Sequence, residues 1–125
     1  EYKLREKILV IDDEPNITKN IEKILAKKGY DVDQAITRDQ AFEKIEENTY
    51  DLVLLDLKIP GVKGMEMLEA VRKRLPKAQI IIITGYVSIE SAKESARLGA
   101  FDYLRKPFTP DDIRNAAEKA LTLAA

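Results

Sequence analysis

Five side chains able to do chemistry stand at the ends of apolar runs. Asp12 and Asp13 follow KILVI (Lys7–Ile11), Asp56 closes DLVLLD (Asp51–Asp56), Thr84 closes QIIIIT (Gln79–Thr84), and Lys106 follows FDYLR (Phe101–Arg105). Burying an unpaired carboxylate is costly. An acid after Leu52–Leu55 is therefore either an accident of a solvent-facing strand end or a group placed for chemistry. If these runs are neighbouring strands, one edge gathers three carboxylates, a hydroxyl and an ammonium. Clustered carboxylates repel one another and call for a divalent cation, and oxygen ligands with room for water suit Mg2+. A carboxylate beside Mg2+, with a hydroxyl and a lysine aimed at the same place, suits phosphoryl transfer. Cation and lysine neutralise the charge of the transferred group while a carboxylate serves as nucleophile. Each residue alone has a plainer reading: Asp12–Asp13 as a turn and helix cap, Asp56 as a loop residue, Thr84 as a cap, Lys106 as a surface lysine. Their shared position at one end of successive strands favours the chemical reading.

The elements that must position them alternate strand and helix. After KILVI, Pro15 opens a helix whose Ile17, Ile21, Ile24 and Leu25 fall on one face, and Gly29 ends it. DVDQA (Asp31–Ala35) alternates as a half-exposed edge strand should. Thr37 and Gln40 form a capping box before a helix carrying Ala41, Phe42 and Ile45. Asp51–Asp56 is the third strand. Met67, Leu68, Val71 and Leu75 line the third helix, which Pro76 stops. Gln79–Thr84 is the fourth strand. The next helix, about Ser88 to Leu98, has a small inner face of Ile89, Ala92 and Ala96, which predicts the least firmly packed helix; Gly99 closes it. Phe101–Arg105 is the fifth strand. Thr109, Pro110, Asp111 and Asp112 read as an N-cap, an N1 proline and an acidic first turn. Ile113, Ala116, Ala117, Ala120 and Leu121 then face the core. Continuously apolar strands 1, 3 and 4 beside an alternating strand 2 predict a parallel α/β sheet with helices on both faces. Such sheets bind ligands beyond the carboxyl ends of their strands, where the five groups lie.

Composition narrows the classes. The 125 residues suit one domain, and a hydrophobic content of 45% suits a globular core rather than disorder. A net charge of −1 gives no broad electrostatic footprint for nucleic acid or an anionic membrane. The chain has no Cys and no His, which removes disulfides, thiol nucleophiles, Ser–His triads and His- or Cys-held zinc. Any metal is then held by oxygens, favouring Mg2+, Ca2+ or Mn2+. No apolar run approaches a membrane span and nothing at the N-terminus reads as a signal peptide, so the expected setting is cytoplasmic. The first residue is Glu rather than Met, which reads as a piece of a longer protein.

Four stretches together resemble the receiver domain of a two-component response regulator: VIDDEP (Val10–Pro15), LLDLKIPGVKG (Leu54–Gly64), IIITGY (Ile81–Tyr86) and GAFDYLRKPF (Gly99–Phe108). The resemblance implies one receiver domain over 1–125, with 1–6 an N-terminal extension and the core at about 7–122. It implies a three-layer, doubly wound, flavodoxin-like fold with five parallel strands in the order 2-1-3-4-5. Asp56 would be the phosphoacceptor, forming an acyl phosphate. Asp13 would bind Mg2+ directly, Mn2+ being the alternative, with Asp12 helping directly or through water. Asp56 and the main-chain carbonyl of Lys58 would complete the protein ligands. Thr84 would donate to the phosphoryl group and Lys106 would ion-pair with it. The Lys106–Pro107 bond resembles the family's cis peptide, and Tyr103 its aromatic switch residue. Pro60 and Gly64 match the loop after the phosphoacceptor.

What the resemblance implies about partners is coarser. A chain without His takes its phosphoryl group from elsewhere, namely a histidine kinase or phosphotransfer domain, or a small phosphodonor. Docking would use the first helix near Ile17–Ile21 and the loop after strand 5. Homodimerisation on phosphorylation through helix 4, strand 5 and helix 5, or through helices 4 and 5 alone, is expected, with Arg97, Asp102, Arg105 and Asp111 available for charge pairs. GAFDYLRKPF resembles receivers attached to ATPase-type transcription activators, so an output domain is expected outside this sequence, and any DNA binding with it. The role is regulatory rather than enzymatic, with the domain assisting its own phosphorylation and dephosphorylation. Lys58 and Tyr86, two residues after Asp56 and Thr84, would flank attacking water and tune the lifetime of the phosphate.

Three rivals are weaker. A phosphatase with an aspartyl nucleophile needs a second acid where Lys58 stands. A flavin module needs a Ser-, Thr- and Gly-rich loop after strand 1, where DDEPN (Asp12–Asn16) would repel a phosphate. A degenerate receiver would lack the intact set of five.

Overall fold

A computed structural model gives the structure of residues 5–124. The elements alternate without exception: β1 (Lys7–Ile11), α1 (Pro15–Ala26), β2 (Asp31–Ala35), α2 (Arg38–Glu47), β3 (Leu52–Leu55), α3 (Glu66–Arg74), β4 (Gln79–Thr84), α4 (Ile89–Arg97), β5 (Asp102–Arg105) and α5 (Pro110–Ala124). The strands form one sheet in the order β2-β1-β3-β4-β5. Every pairing is parallel, so all five carboxyl ends lie along one edge. Of the expected N-terminal extension, residues 1–4 lie outside the described residues. Glu6 already joins the sheet, its carbonyl accepting from Asp31 N at 2.9 Å.

Strand alternation splits the core in two. Leu9, Ile11, Val53, Leu55, Ile80 and Ile82 pack against Ala41 and Ile45 of α2 and Met67, Leu68 and Val71 of α3. Their neighbours Ile8, Val10, Leu52, Leu54, Ile81 and Ile83 point the other way, against Ile21, Ile24 and Leu25 of α1 and Ile113, Ala117 and Ala120 of α5. A strand clad on both faces must be apolar along its interior, which is why β3 is throughout and why β1 and β4 are apart from Lys7, Gln79 and Thr84 at their ends. No helix among the described residues is long and apolar enough to cross a membrane.

Caps fix the helix starts. Thr37 Oγ1 accepts from Gln40 N at 3.1 Å, while Gln40 Oε1 reaches Ile36 N at 2.9 Å, one residue further back than in the usual capping box. Thr109 and Asp112 cap α5 reciprocally: Asp112 N donates to Thr109 Oγ1 at 3.1 Å and Thr109 N to Asp112 Oδ2 at 2.8 Å. The expected inner face of α4 is corrected. Ile89 is 76% exposed, Ala96 is exposed, and the buried residue is Ser95. The Ser88 cap, accepting from Ser91 N at 3.0 Å, starts the helix so that Ile89 faces solvent. Ser95 tolerates burial because its hydroxyl donates back to Ser91 O at 2.7 Å.

Candidate functional site

The carboxyl edge brings the expected residues together. Asp56 follows the last residue of β3, its N–H held by Ile11 O at 2.9 Å, and only 4% of its surface is exposed. Asp12 follows β1, is fully buried, and is pinned by Asp12 N donating to Ala35 O at 3.1 Å. Asp13 lies beside them on the solvent side. Carboxylate oxygens of Asp12, Asp13 and Asp56 fall within 4.8 Å of one another.

Lys106 enters from β5, its N–H donating to Thr84 O at 2.8 Å. The following bond to Pro107 is cis, as expected. The ammonium lies 2.7 Å from Asp12 Oδ2 and 2.8 Å from Asp56 Oδ2, with Glu14 Oε1 at 3.4 Å. Burial works to lower the lysine pKa, but the hydrogen bonds with Asp12 and Asp56 outweigh it and hold the group well above its ordinary value. The Asp12 pKa is raised too, but here burial wins: it pushes the carboxyl up and the lysine only partly offsets this. Asp12 Oδ2 faces the ammonium as a close ion pair. Its other oxygen accepts from Glu14 N at 2.9 Å.

Three carboxylates whose oxygens converge within 4.8 Å, two of them buried, are a donor set that fits a hard divalent cation. Asp12, Asp13 and Asp56 would hold it. Asp56 Oδ1 accepts from Lys58 N at 2.9 Å, so the backbone after Asp56 folds back over its own carboxylate. An open pocket of about 350 Å3 lies in front, lined among others by Asp13, Lys58, Pro60, Gly64, Thr84 and Tyr86.

The residues expected to switch form a second constellation. Thr84 Oγ1 accepts from Tyr86 N at 3.0 Å, and Tyr103 donates its hydroxyl to Tyr86 O at 3.3 Å. Lys58 holds its ammonium over the Tyr86 ring, 5.5 Å from the centroid. Tyr86 thus touches three of the residues read from sequence as phosphoryl-binding, switch or tuning groups. Sequence reasoning missed Glu14, the third carboxylate on Lys106; three consecutive acids were the available signal. It also missed Arg72, whose acceptors are backbone carbonyls and carry no residue-type signature.

A parallel sheet in this order, with acids, a threonine and a lysine converging at its carboxyl edge, defines an α/β domain built for phosphoryl chemistry. The chain matches the family model of the response regulator receiver domain over residues 8–118 and belongs to that family. Its function is that of a receiver domain in two-component signalling, a phosphorylation-activated switch. It is 38% identical over 120 residues to sporulation initiation phosphotransferase F of Bacillus subtilis, covering 96% of this chain and 97% of that protein. It is 36% identical over 114 residues to the transcriptional regulatory protein ZraR of Escherichia coli, covering 91% of this chain but 26% of the relative. Among solved structures, a CheY-like receiver domain protein from Methanospirillum hungatei superposes with a TM-score of 0.92 at 34% identity over 96% of both chains.

Proposed function

We propose that Asp56 is the phosphoacceptor, supported above all by its buried carboxylate being gripped by Lys58 N and Lys106 Nζ beside Asp12 and Asp13. An Asp56 oxygen forms the O–P bond as the P–N bond of the donor's phosphohistidine breaks, the electron pair leaving with the imidazole. Bound Mg2+, or Mn2+, supplies charge neutralisation at the transferred oxygens; Asp12, Asp13, Asp56 and the Lys58 carbonyl are its proposed protein ligands. Phosphorylation adds roughly −1.5 to −2 charge. Lys106 already carries the countercharge and exchanges carboxylate for phosphoryl oxygen. Thr84 turns its hydroxyl toward the new acceptor, releasing the Tyr86 amide and with it Tyr103.

The rest follows that assignment. The partner is a histidine kinase or phosphotransfer domain, docking near Ile17–Ile21 and the loop after β5. The switched surface is α4–β5–α5, which controls a homodimer, an output domain or another partner. Relatives of both lengths exist, one covered almost whole and one by about a quarter, so output through an attached transcription-regulating domain is one form this takes. The domain spans 1–125 with its core at about 7–122, acts in the cytoplasm, binds no nucleic acid itself and is regulatory rather than enzymatic.

Incubation with acetyl phosphate and Mg2+, followed by intact-mass measurement, tests the site. Wild type gains one phosphoryl group and Asp56→Asn gains none. Labelling that persists in the variant, or a wild type that never labels, refutes the assignment.

A further inference from the structure

Among the described residues of α4, one is buried, Ser95. The segment leading into it is open: Tyr86, Val87 and Ile89 are 68%, 49% and 76% exposed. The far end of the same helix is held. Arg72, in the last turn of α3, donates through Nη1 to Pro76 O and Ala78 O and through Nη2 to Gly99 O, each at 3.0 Å. One guanidinium thereby ties the α3–β4 connection to the turn that closes α4. Gly99 has φ +98°, a region open to glycine, and a Cβ there would stand 3.0 Å from Arg72 Nε. A side chain at 99 would force the guanidinium to give by a few tenths of an ångström. Just beyond, Ala100 N donates to Ser95 O at 2.9 Å and Phe101 N to Ile80 O at 2.7 Å. The C-terminal end of α4 is therefore stitched to α3 and the sheet within three residues. The N-terminal end is closed by the Ser88 cap, a bond internal to the helix start.

We propose that Arg72 is a positioning residue of the switch: it makes Gly99 a fixed pivot, so phosphorylation tilts α4 about its C-terminal end. Movement then concentrates at Tyr86–Ala92, next to Thr84, and dies away by Leu98–Ala100. The lever works because the driven end has little burial to lose and the pivot has three carbonyls to keep. The inference rests on the Asp56 and Thr84 assignments above.

Amide hydrogen exchange, with and without Mg2+ and the phosphoryl analogue beryllofluoride, tests it on wild type, Arg72→Lys, Arg72→Met and Gly99→Ala. In wild type the analogue should change exchange at 86–92 and leave 98–101 unmoved. In Arg72→Met, exchange at 98–101 should rise about tenfold without the analogue, and the analogue's effect should spread along all of α4. Arg72→Lys keeps the charge but not the fork, and should fall between. Gly99→Ala adds backbone strain at φ +98° to any displacement of Arg72 and serves as the strain control, while Arg72→Lys carries the test if Arg72→Met does not fold. An arginine with a purely structural role would lower the denaturation midpoint and leave the distribution of the analogue's effect unchanged; that outcome overturns the pivot. So does a wild-type effect as large at 98–101 as at 86–92. No effect anywhere in wild type would remove the pivot and the Asp56 assignment together.

Discussion

α1 and α4 both start within a few residues of the carboxyl edge, and they are held in opposite ways. α1 buries Thr18, Ile21, Ile24 and Leu25, although its N-cap residue Glu14 makes no side-chain cap bond. α4 has a capping serine and buries Ser95, among the described residues, with Ile89 left in solvent. Burying a Leu or Ile contributes about 1.5–3 kcal/mol, whereas a hydrogen bond contributes a net ~1 kcal/mol. Apolar area therefore anchors α1, and a few polar contacts anchor α4. The difference maps onto function. Asp12 and Asp13 precede the stiff helix, where the proposed metal ligands must keep their places. Thr84 precedes the loose one, where a switch needs low local stability.

The largest effect should come from attacking the stiff side. Ile21→Ala is expected to cost about 3 kcal/mol as a cavity opens between α1 and the sheet, read as a lower denaturation midpoint and weaker Mg2+ binding. Ser95→Ala should cost about 1 kcal/mol or less, visible in local exchange more than in the global midpoint. Equal costs at the two positions would abolish the contrast.

Lys106 joins the two sides, and its removal comes next. Lys106→Met leaves Asp12 and Asp56 facing each other without countercharge. Breaking a fully buried pair costs about 3–5 kcal/mol; with the lysine side chain still 14% exposed, about 2 kcal/mol is expected. Mg2+ should restore more stability to this variant than to wild type, since the ion takes over the ammonium's role. Failure of Mg2+ to do so in denaturant titrations would mean the three carboxylates are not its ligands. Asp12→Asn sharpens the point. The folded-state pKa of Asp12 is raised, chiefly by burial, so the folded chain holds that proton more tightly than the unfolded one. Its contribution to stability is lost as pH rises through the folded value. At neutral pH the neutral amide should raise the denaturation midpoint while removing stabilisation by Mg2+.

The stiff side was also the more legible in sequence. Ile17, Ile21, Ile24 and Leu25 declare a helix face because burial by apolar residues leaves a period, and the apolar strands declare their own order of exposure. Asp12, Asp56, Thr84 and Lys106 were legible because a parallel sheet puts every strand's carboxyl end on one edge. The inner face of α4 was misread for the converse reason. The helix is amphipathic, but its apolar Ile89 lies in solvent, and Ser95 is buried through a hydrogen bond to Ser91 O that no pattern of hydrophobicity records. The Arg72 clamp was invisible because its partners are main-chain carbonyls brought together across 27 residues.

On the loose side the effects shrink and become local. Ser88→Ala removes the acceptor for Ser91 N, and losing such a cap costs about 1 kcal/mol. Since α4 is weakly coupled to the core, this should appear as faster exchange at Ser91–Lys93, with the global midpoint nearly unchanged. A matching drop in global stability would show that α4 is part of the main cooperative unit, against the contrast drawn here.

Tyr86→Ala should change stability least and still change behaviour. The ring is 68% exposed, and its contact with the Lys58 ammonium is worth about 0.5 kcal/mol at such a surface. The same ring and lysine line the pocket in front of Asp56, where water must pass to reach an acyl phosphate. Removing the ring opens that path and frees Lys58, so the phosphoryl group should be lost a few-fold faster at an unchanged denaturation midpoint. Lys58→Met should act in the same direction more weakly, because the ring stays but loses its tether. Decay of the phosphorylated mass, followed after the donor is removed, reads this directly. An unchanged decay rate in Tyr86→Ala would show that the loose side moves without governing how long the signal lasts.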